Sequence, residues 1–349
     1  MRVLIVRLSS MGDLVQTLPA LTDAAKAIPG IRFDWVVDQS FAQVPSWHPA
    51  VDAVIASDFR GWGRSWRKSL ERKGPQSFLK KLRAHKYDFI VDVQGEFKSA
   101  LAARVAKGVR AGYDARSIHE RGAHVVYRRR FSVPKGQHSI KRMRRLLSLT
   151  LGYDYDEGIL DYGIERARLP QSPVNASEPY LVFIHSTSWT SKNWPEEYWR
   201  ALTMRATEVG LRVILPWGDE PERQRALRIA QGQQGATVLP QLSISDKAAI
   251  ISGARATVGL DTGLSHIAAA LDVPSITIYG ATDPLLVGAT GRYQVHLASA
   301  FECVKCHEHE CFYQGATEFK PACLVEITVE RVWRELQGLL NERAVEEII

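Results

Sequence analysis

No run of about 18 consecutive apolar residues occurs in this 349-residue chain, so nothing in it is expected to span a bilayer as a helix. The opening stretch Met1-Arg2-Val3-Leu4-Ile5-Val6-Arg7 is too short for a signal h-region and runs at once into a Ser/Gly-rich loop. It reads as a first strand, and the protein is expected to fold and work in the cytoplasm. Cysteine is scarce, with four in all, and every one falls within the 21 residues of Cys303-x2-Cys306-x4-Cys311-x11-Cys323. The three-glycine dinucleotide fingerprint is missing from the first strand-to-helix turn, where Leu8-Ser9-Ser10-Met11-Gly12-Asp13 carries Gly12 alone, which argues against a nicotinamide oxidoreductase.

The chain exceeds the usual ceiling for one hydrophobic core, and its 45% apolar content can build two domains. Residues 1–160 hold 28 Lys/Arg against 15 Asp/Glu and residues 161–349 hold 17 against 23, or +13 and −6. A half that positive suits an anionic ligand: a phosphorylated lipid, a membrane face or nucleic acid. Short β-rich runs alternate with helical patterns, as parallel sheets with crossover helices require. In the first half the strands are expected at Val3–Val6, Phe33–Val37, Ala53–Ile55, Phe89–Val93 and Val109–Gly112. Helices are expected near Asp13–Ala27 and Gln76–Ala84, with a basic one over Ser139–Leu151. The rhythm restarts at Tyr180–His185, Arg212–Leu215, Thr237–Leu239, Thr257–Leu260 and Ser275–Tyr279. Residues 154–178 lack periodicity and form the linker. The expected domains are therefore 1–160 and 175–328, with 329–349 a closing helix free to return to the first.

The chemistry collects at strand ends, where open α/β sheets bind ligands. Asp13 follows the first strand, and as a helix first-turn residue it could equally be structural. Gly259-Leu260-Asp261-Thr262-Gly263-Leu264-Ser265-His266 reads strand, small-residue turn, helix, so backbone N–H groups with the hydroxyls of Thr262 and Ser265 make a diphosphate site. His185-Ser186-Thr187-Ser188 with Lys192 adds hydroxyls and an ammonium for phosphate. Pro216-Trp217-Gly218-Asp219-Glu220-Pro221-Glu222 offers carboxylates to a ribose or base edge. No Asp-x-Asp pair sits at these strand ends to hold a divalent ion beside a diphosphate, so no catalytic cation or other cofactor is expected.

Several blocks together carry a resemblance. They are Ser9-Ser10-Met11-Gly12-Asp13 with Leu18-Pro19-Ala20-Leu21, Phe33-Asp34-Trp35-Val36-Val37, Lys192-x-Trp194-Pro195-Glu196 and Pro216-Trp217-Gly218. Asp261-Thr262-Gly263-Leu264-Ser265-His266 with Tyr279-Gly280-x-Thr282-Asp283-Pro284 completes them. In that order and over most of its length the chain resembles the bacterial lipopolysaccharide heptosyltransferases. The resemblance implies the GT-B fold: two Rossmann-like, doubly wound parallel-sheet domains with the nucleotide sugar in an interdomain cleft. It implies transfer of heptose from ADP-heptose to the Kdo of Kdo-lipid A, with inversion, at the cytoplasmic face of the inner membrane. It further implies Asp13 as general base, while Lys192, read above as an ammonium for phosphate, would support the leaving diphosphate. The donor would be lined by Thr187, Ser188, Lys192, Glu222, Leu242, Asp261, Thr262, Gly263, Leu264 and His266.

The anionic acceptor gives the basic half a purpose. Arg60, Arg64, Arg67 and Lys68 recur at helical spacing among Trp62 and Trp66, next to Lys73, Lys80 and Lys81. The tryptophans could also sit at a membrane interface. Lys98, His119 and Arg121 are acceptor candidates from the resemblance, although His119-Glu120-Arg121-Gly122 stands where the family has Arg-Glu-Pro. A heptosyltransferase II or III, acting later in core assembly, shares most of these features. A nucleic-acid module would leave Asp261–His266 without a role, so no nucleic-acid partner is expected. The four cysteines, with His307 and His309 among them, fit a tetrathiolate zinc site, disulfides or free thiols.

Overall fold

A computed structural model describes residues 1–64, 74–175 and 178–346. The chain divides into two units, Met1–Arg168 and Leu169–Ile349, and the division falls inside the expected linker.

Six strands form the first sheet: β1 (Arg2–Val6), β2 (Arg32–Asp38), β3 (Val51–Ser57), β4 (Lys86–Asp92), β5 (Lys107–Tyr113) and β6 (Arg129–Phe131). They lie in the order β3-β2-β1-β4-β5-β6, and every pair is parallel. Their helices are α1 (Met11–Ala27), α2 (Phe59–Arg64), α3 (Gly74–Leu82), α4 (Phe97–Val105) and α5 (Ser139–Leu151). Val3, Leu4, Ile5 and Val6 are fully buried, the apolar run expected of a central strand covered on both faces. Burial of each such side chain contributes about 1.5–3 kcal/mol.

The second sheet has β7 (Tyr180–Ile184), β8 (Arg212–Leu215), β9 (Ala236–Val238), β10 (Ala256–Leu260), β11 (Ser275–Tyr279) and β12 (Gln294–Ala298). Its order β12-β11-β10-β7-β8-β9 repeats the first topology, again with all pairs parallel. Helices α6 (Glu196–Glu208), α7 (Glu220–Ala230), α8 (Ile244–Ser252), α9 (Gly263–Ala270), α10 (Pro284–Val287) and α11 (Val329–Glu346) accompany it. Trp194 and Trp199 are fully buried in this core, and Trp194 Nε1 donates to the Ile327 carbonyl at 2.8 Å. The closing helix α11, which the sequence allows to return to the first domain, packs on α6, β10 and β11 of its own unit. Among the described residues no helix is long and apolar enough to cross a membrane.

Strand order reverses direction between β1 and β4 in one unit and between β7 and β10 in the other. Ligands of doubly wound sheets bind beyond the carboxyl ends of the strands at such a switch point. Four loops therefore matter: those after β1, β4, β7 and β10.

Candidate active site

In the first unit, β1 delivers its chain through Arg7 to the start of α1. Asp13 Oδ2 accepts hydrogen bonds from the Ser10 N–H at 3.0 Å and the Ser10 hydroxyl at 2.7 Å, closing the first turn of α1. Its other oxygen meets the Arg7 guanidinium at 2.5 Å, with the two side chains 31% and 13% exposed. Burial pushes the Asp13 carboxyl upward, but Arg7 and the two Ser10 bonds outweigh it and hold the group below its ordinary value. Asp13 is thus both a structural first-turn residue and an ionised, partly accessible carboxylate at a ligand-binding edge.

The loop after β4 is pinned by a buried acid that sequence reasoning passed over. Asp92 accepts from the Tyr127 hydroxyl at 2.7 Å and from the N–H groups of Gln94 and Gly95 at 3.0 Å each. Burial nevertheless raises its pKa. Gly112 makes room for this arrangement, since a Cβ there would lie 2.5 Å from the Tyr127 ring. The Phe97 N–H donates to Glu120 at 2.6 Å and the Glu120 N–H to the Gly95 carbonyl at 3.0 Å, joining two loops. Lys98, His119 and Arg121 flank this junction and are each exposed, with His119 Nδ1 4.0 Å from Glu96.

The other basic candidates divide. Arg60 and Arg64 belong to α2, whereas Arg67 and Lys68, with Trp66 and Lys73, lie outside the described residues. Trp62 packs its ring on Phe59 and Phe78, each at 5.3 Å, so its indole is engaged in the unit's own apolar cluster.

In the second unit, the loop after β10 holds Asp261, 7% exposed. Lys192, from the loop after β7, places Nζ 2.7 Å from Asp261 Oδ2 and 4.3 Å from the centre of the Trp189 ring. The Thr282 hydroxyl donates to the same carboxylate at 2.6 Å, and His266 Nε2 stands 3.8 Å from its other oxygen. Burial alone would raise the Asp261 pKa, but His266 and Lys192 drive it far below the usual carboxylate range. Asp261 is therefore the fixed anion that orients the Lys192 ammonium.

Thr262 caps α9, and the N–H groups of Gly263 and Leu264 open the helix beside this pair. Ser265 departs from expectation. Its hydroxyl is buried and donates to the Leu260 carbonyl at 2.6 Å, so it closes the turn rather than serving a ligand. Gly259 permits that closure, because a Cβ would lie 2.6 Å from Ser265 Oγ. The Thr187 N–H donates to Asn193 Oδ1 at 3.3 Å, and Ser188 is exposed beside it.

After β8, Glu222 accepts the Gly218 N–H at 2.6 Å, and burial raises its pKa. The half-buried Leu242 precedes α8. From that helix comes Lys247, 9% exposed, with its pKa lowered by burial despite the charge of Glu222. Lys247, Thr282, Asn193 and Arg7 were not singled out from the sequence. Only Thr282 had a signal there, as part of Gly280-x-Thr282-Asp283.

The four cysteines are unpaired and line one pocket with Ser191, Phe312, Tyr313 and Pro321.

The family model for glycosyltransferase family 9 (heptosyltransferase) matches residues 76–317. Lipopolysaccharide heptosyltransferase 1 of Pseudomonas aeruginosa (strain PAO1) is 45% identical over 97% of this chain and 98% of that protein. The structure described as E. coli heptosyltransferase WaaC with ADP aligns at a TM-score of 0.86 and 40% identity, covering 97% of this chain and 100% of that one. The same E. coli enzyme with ADP-2-deoxy-2-fluoro heptose aligns at 0.82 and 39% identity, covering 97% and 99%.

Proposed function

The chain belongs to glycosyltransferase family 9, the heptosyltransferases, and from that premise we propose that it moves L-glycero-D-manno-heptose from ADP-heptose to the first Kdo of Kdo-lipid A, with inversion. The observation that carries this reading is the Lys192–Asp261–Thr282 cluster beside the N-terminus of α9. A buried carboxylate orients an ammonium next to free helix N–H groups, a combination suited to a nucleoside diphosphate.

In the reaction the acceptor hydroxyl oxygen forms a bond to the anomeric carbon while the bond from that carbon to the diphosphate oxygen breaks. Negative charge developing on the departing ADP is met by Lys192, the Thr262 hydroxyl and the N–H groups of Gly263 and Leu264. Thr187 and Ser188 add donors to the phosphates, and Glu222 accepts from the ribose, with Leu242 against the base. His266 keeps Asp261 oriented toward Lys192. The acceptor proton passes to Asp13. A carboxylate with a lowered pKa is a weak base, so the transfer comes late, when bond formation has made the acceptor oxygen acidic. None of these roles calls on a cation in the chemical step.

The acceptor is anionic and lipid-borne, and we assign the enzyme to the cytoplasmic face of the inner membrane as a peripheral protein. Residues 97–131 carry nine Lys/Arg against two Asp/Glu. Phe97, Leu101 and Val125 in the same stretch are 59%, 56% and 67% exposed. Arg60, Arg64, Arg67, Lys68, Lys98, His119 and Arg121 would meet acceptor carboxylates and phosphates. An acceptor panel tests the assignment. Initial rates should favour Kdo-lipid A over acceptors that already bear heptose, and preference for a heptosylated acceptor would identify a second or third enzyme of core assembly instead.

A further inference from the structure

The cysteine-bearing segment has no part in the transfer chemistry, yet it is tied directly to the loop that carries Lys192. The Ser191 N–H donates to the His309 carbonyl at 3.1 Å and the Ser191 hydroxyl to the Glu308 carbonyl at 2.5 Å. The Thr190 hydroxyl donates to the same His309 carbonyl at 3.2 Å. The His309 ring stacks on Trp189 at 4.1 Å, and the Trp189 ring carries Lys192. Residues 308 and 309 thus brace the stretch 189–191 that leads into Lys192, whose ammonium Asp261 orients.

Three features converge on the thiols. Cys303, Cys306, Cys311 and Cys323 all line one pocket, which includes Ser191 of the donor loop. The Lys305 N–H donates to the Gly280 carbonyl at 2.8 Å, while a Cβ on Gly280 would lie 2.8 Å from Cys323 Sγ. The Cys303-x2-Cys306 turn and the distant Cys323 thus meet at the end of β11. Lys305 and His307, on either side of Cys306, adopt φ of +59° and +57°, a backbone that non-glycine residues hold only where their surroundings fix it.

We infer that the four cysteines form a thiolate site for one zinc ion, and that this ion fixes the 303–323 segment against the donor loop, making the cluster a positioning element for Lys192. Four sulfurs from a C-x2-C turn and two further segments match the tetrahedral, soft-ligand preference of Zn2+, with Zn–S distances of about 2.3 Å. Among the described residues, no group of three or more His, Cys, Asp or Glu side chains is set to hold an ion as it stands. Binding would release the thiol protons to solvent.

The test uses the full chain purified without chelators. Metal is measured by plasma emission, thiols by titration under denaturing conditions, and ADP affinity by calorimetry before and after extraction of zinc and its return. We expect one zinc per chain and its loss in Cys306→Ser. Extraction should weaken ADP binding about ten-fold, the effect typical of groups that orient a ligand through another residue, and restored Zn2+ should reverse it. In Lys192→Met the same extraction should produce no further loss, since zinc acts through that lysine. A metal-free wild-type chain with four titratable thiols and no uptake of added Zn2+ overturns the site, whether or not the variants fold. Zinc bound with ADP affinity indifferent to its removal overturns the positioning role.

Discussion

Replacing Lys192 with Met should damage stability and catalysis by separable amounts. The Nζ–Oδ2 distance is 2.7 Å and the two side chains are 12% and 7% exposed, so Met leaves Asp261 as a buried charge without its counter-ion. Removing one partner of a buried pair costs about 3–5 kcal/mol. The Thr282 hydroxyl still bonds Asp261 at 2.6 Å and His266 Nε2 still stands 3.8 Å from it, which sets the expectation at the lower end, about 3 kcal/mol. Losing a donor that stabilises the leaving diphosphate should reduce kcat about 10²–10³-fold. Urea unfolding of the second unit reads the first quantity and single-turnover kinetics the second. Adding Asp261→Asn to Lys192→Met removes the stranded charge, so the double variant should regain most of the stability and none of the rate. Stability of Lys192→Met within 0.5 kcal/mol of the parent, or a rate restored by the second substitution, refutes the division of labour between the two residues.

Asp13→Asn keeps an acceptor for the Ser10 bonds but cannot take a proton, so kcat should fall about 10²–10⁴-fold with little change in KM; an undiminished rate removes Asp13 from the mechanism. Burial lowers His48 to about 4 and His185 to about 3, well under the unfolded value near 6.5. The folded state then binds fewer protons than the unfolded one. The stability they contribute is complete above about pH 6.5 and declines as pH falls, by up to about 1.4 kcal/mol per pH unit for each imidazole. Denaturation at pH 7 and pH 5 checks this, and equal stabilities at the two contradict it. Glu222→Gln should raise donor KM about ten-fold, the worth of one charge-assisted hydrogen bond, with kcat changed less than about two-fold; a loss confined to kcat contradicts a ribose contact.

Much of this architecture is legible in the sequence, because buried parallel strands read as short apolar runs and helices as longer periodic ones. Ser139–Leu151 is a helix with the bounds that periodicity assigns. The edge strands Arg129–Phe131 and Gln294–Ala298 escape notice, since the first is largely charged and neither is fully buried. The short helix Phe97–Val105 is also invisible, its exposed Phe97 and Leu101 blurring the amphipathic pattern. At the site, the strand-end rule finds Asp13, Lys192, Asp261 and Thr262 one by one. The partners that set their chemistry come from folding rather than spacing: Arg7 pairs with Asp13 across the first turn, Thr282 reaches Asp261 from the next strand end, and the charge of Lys247 acts on Glu222 from another helix. Ser265 shows the converse, a hydroxyl suited to a ligand but consumed by the Leu260 carbonyl five residues back.

The central claim, heptose transfer from ADP-heptose to Kdo-lipid A, is tested most directly by mass spectrometry of the lipid product after incubation with purified enzyme and a single donor. ADP-heptose should add one heptose to Kdo-lipid A and stop, with UDP-glucose inert. No heptosylated lipid from ADP-heptose, or equal use of UDP-glucose, contradicts it.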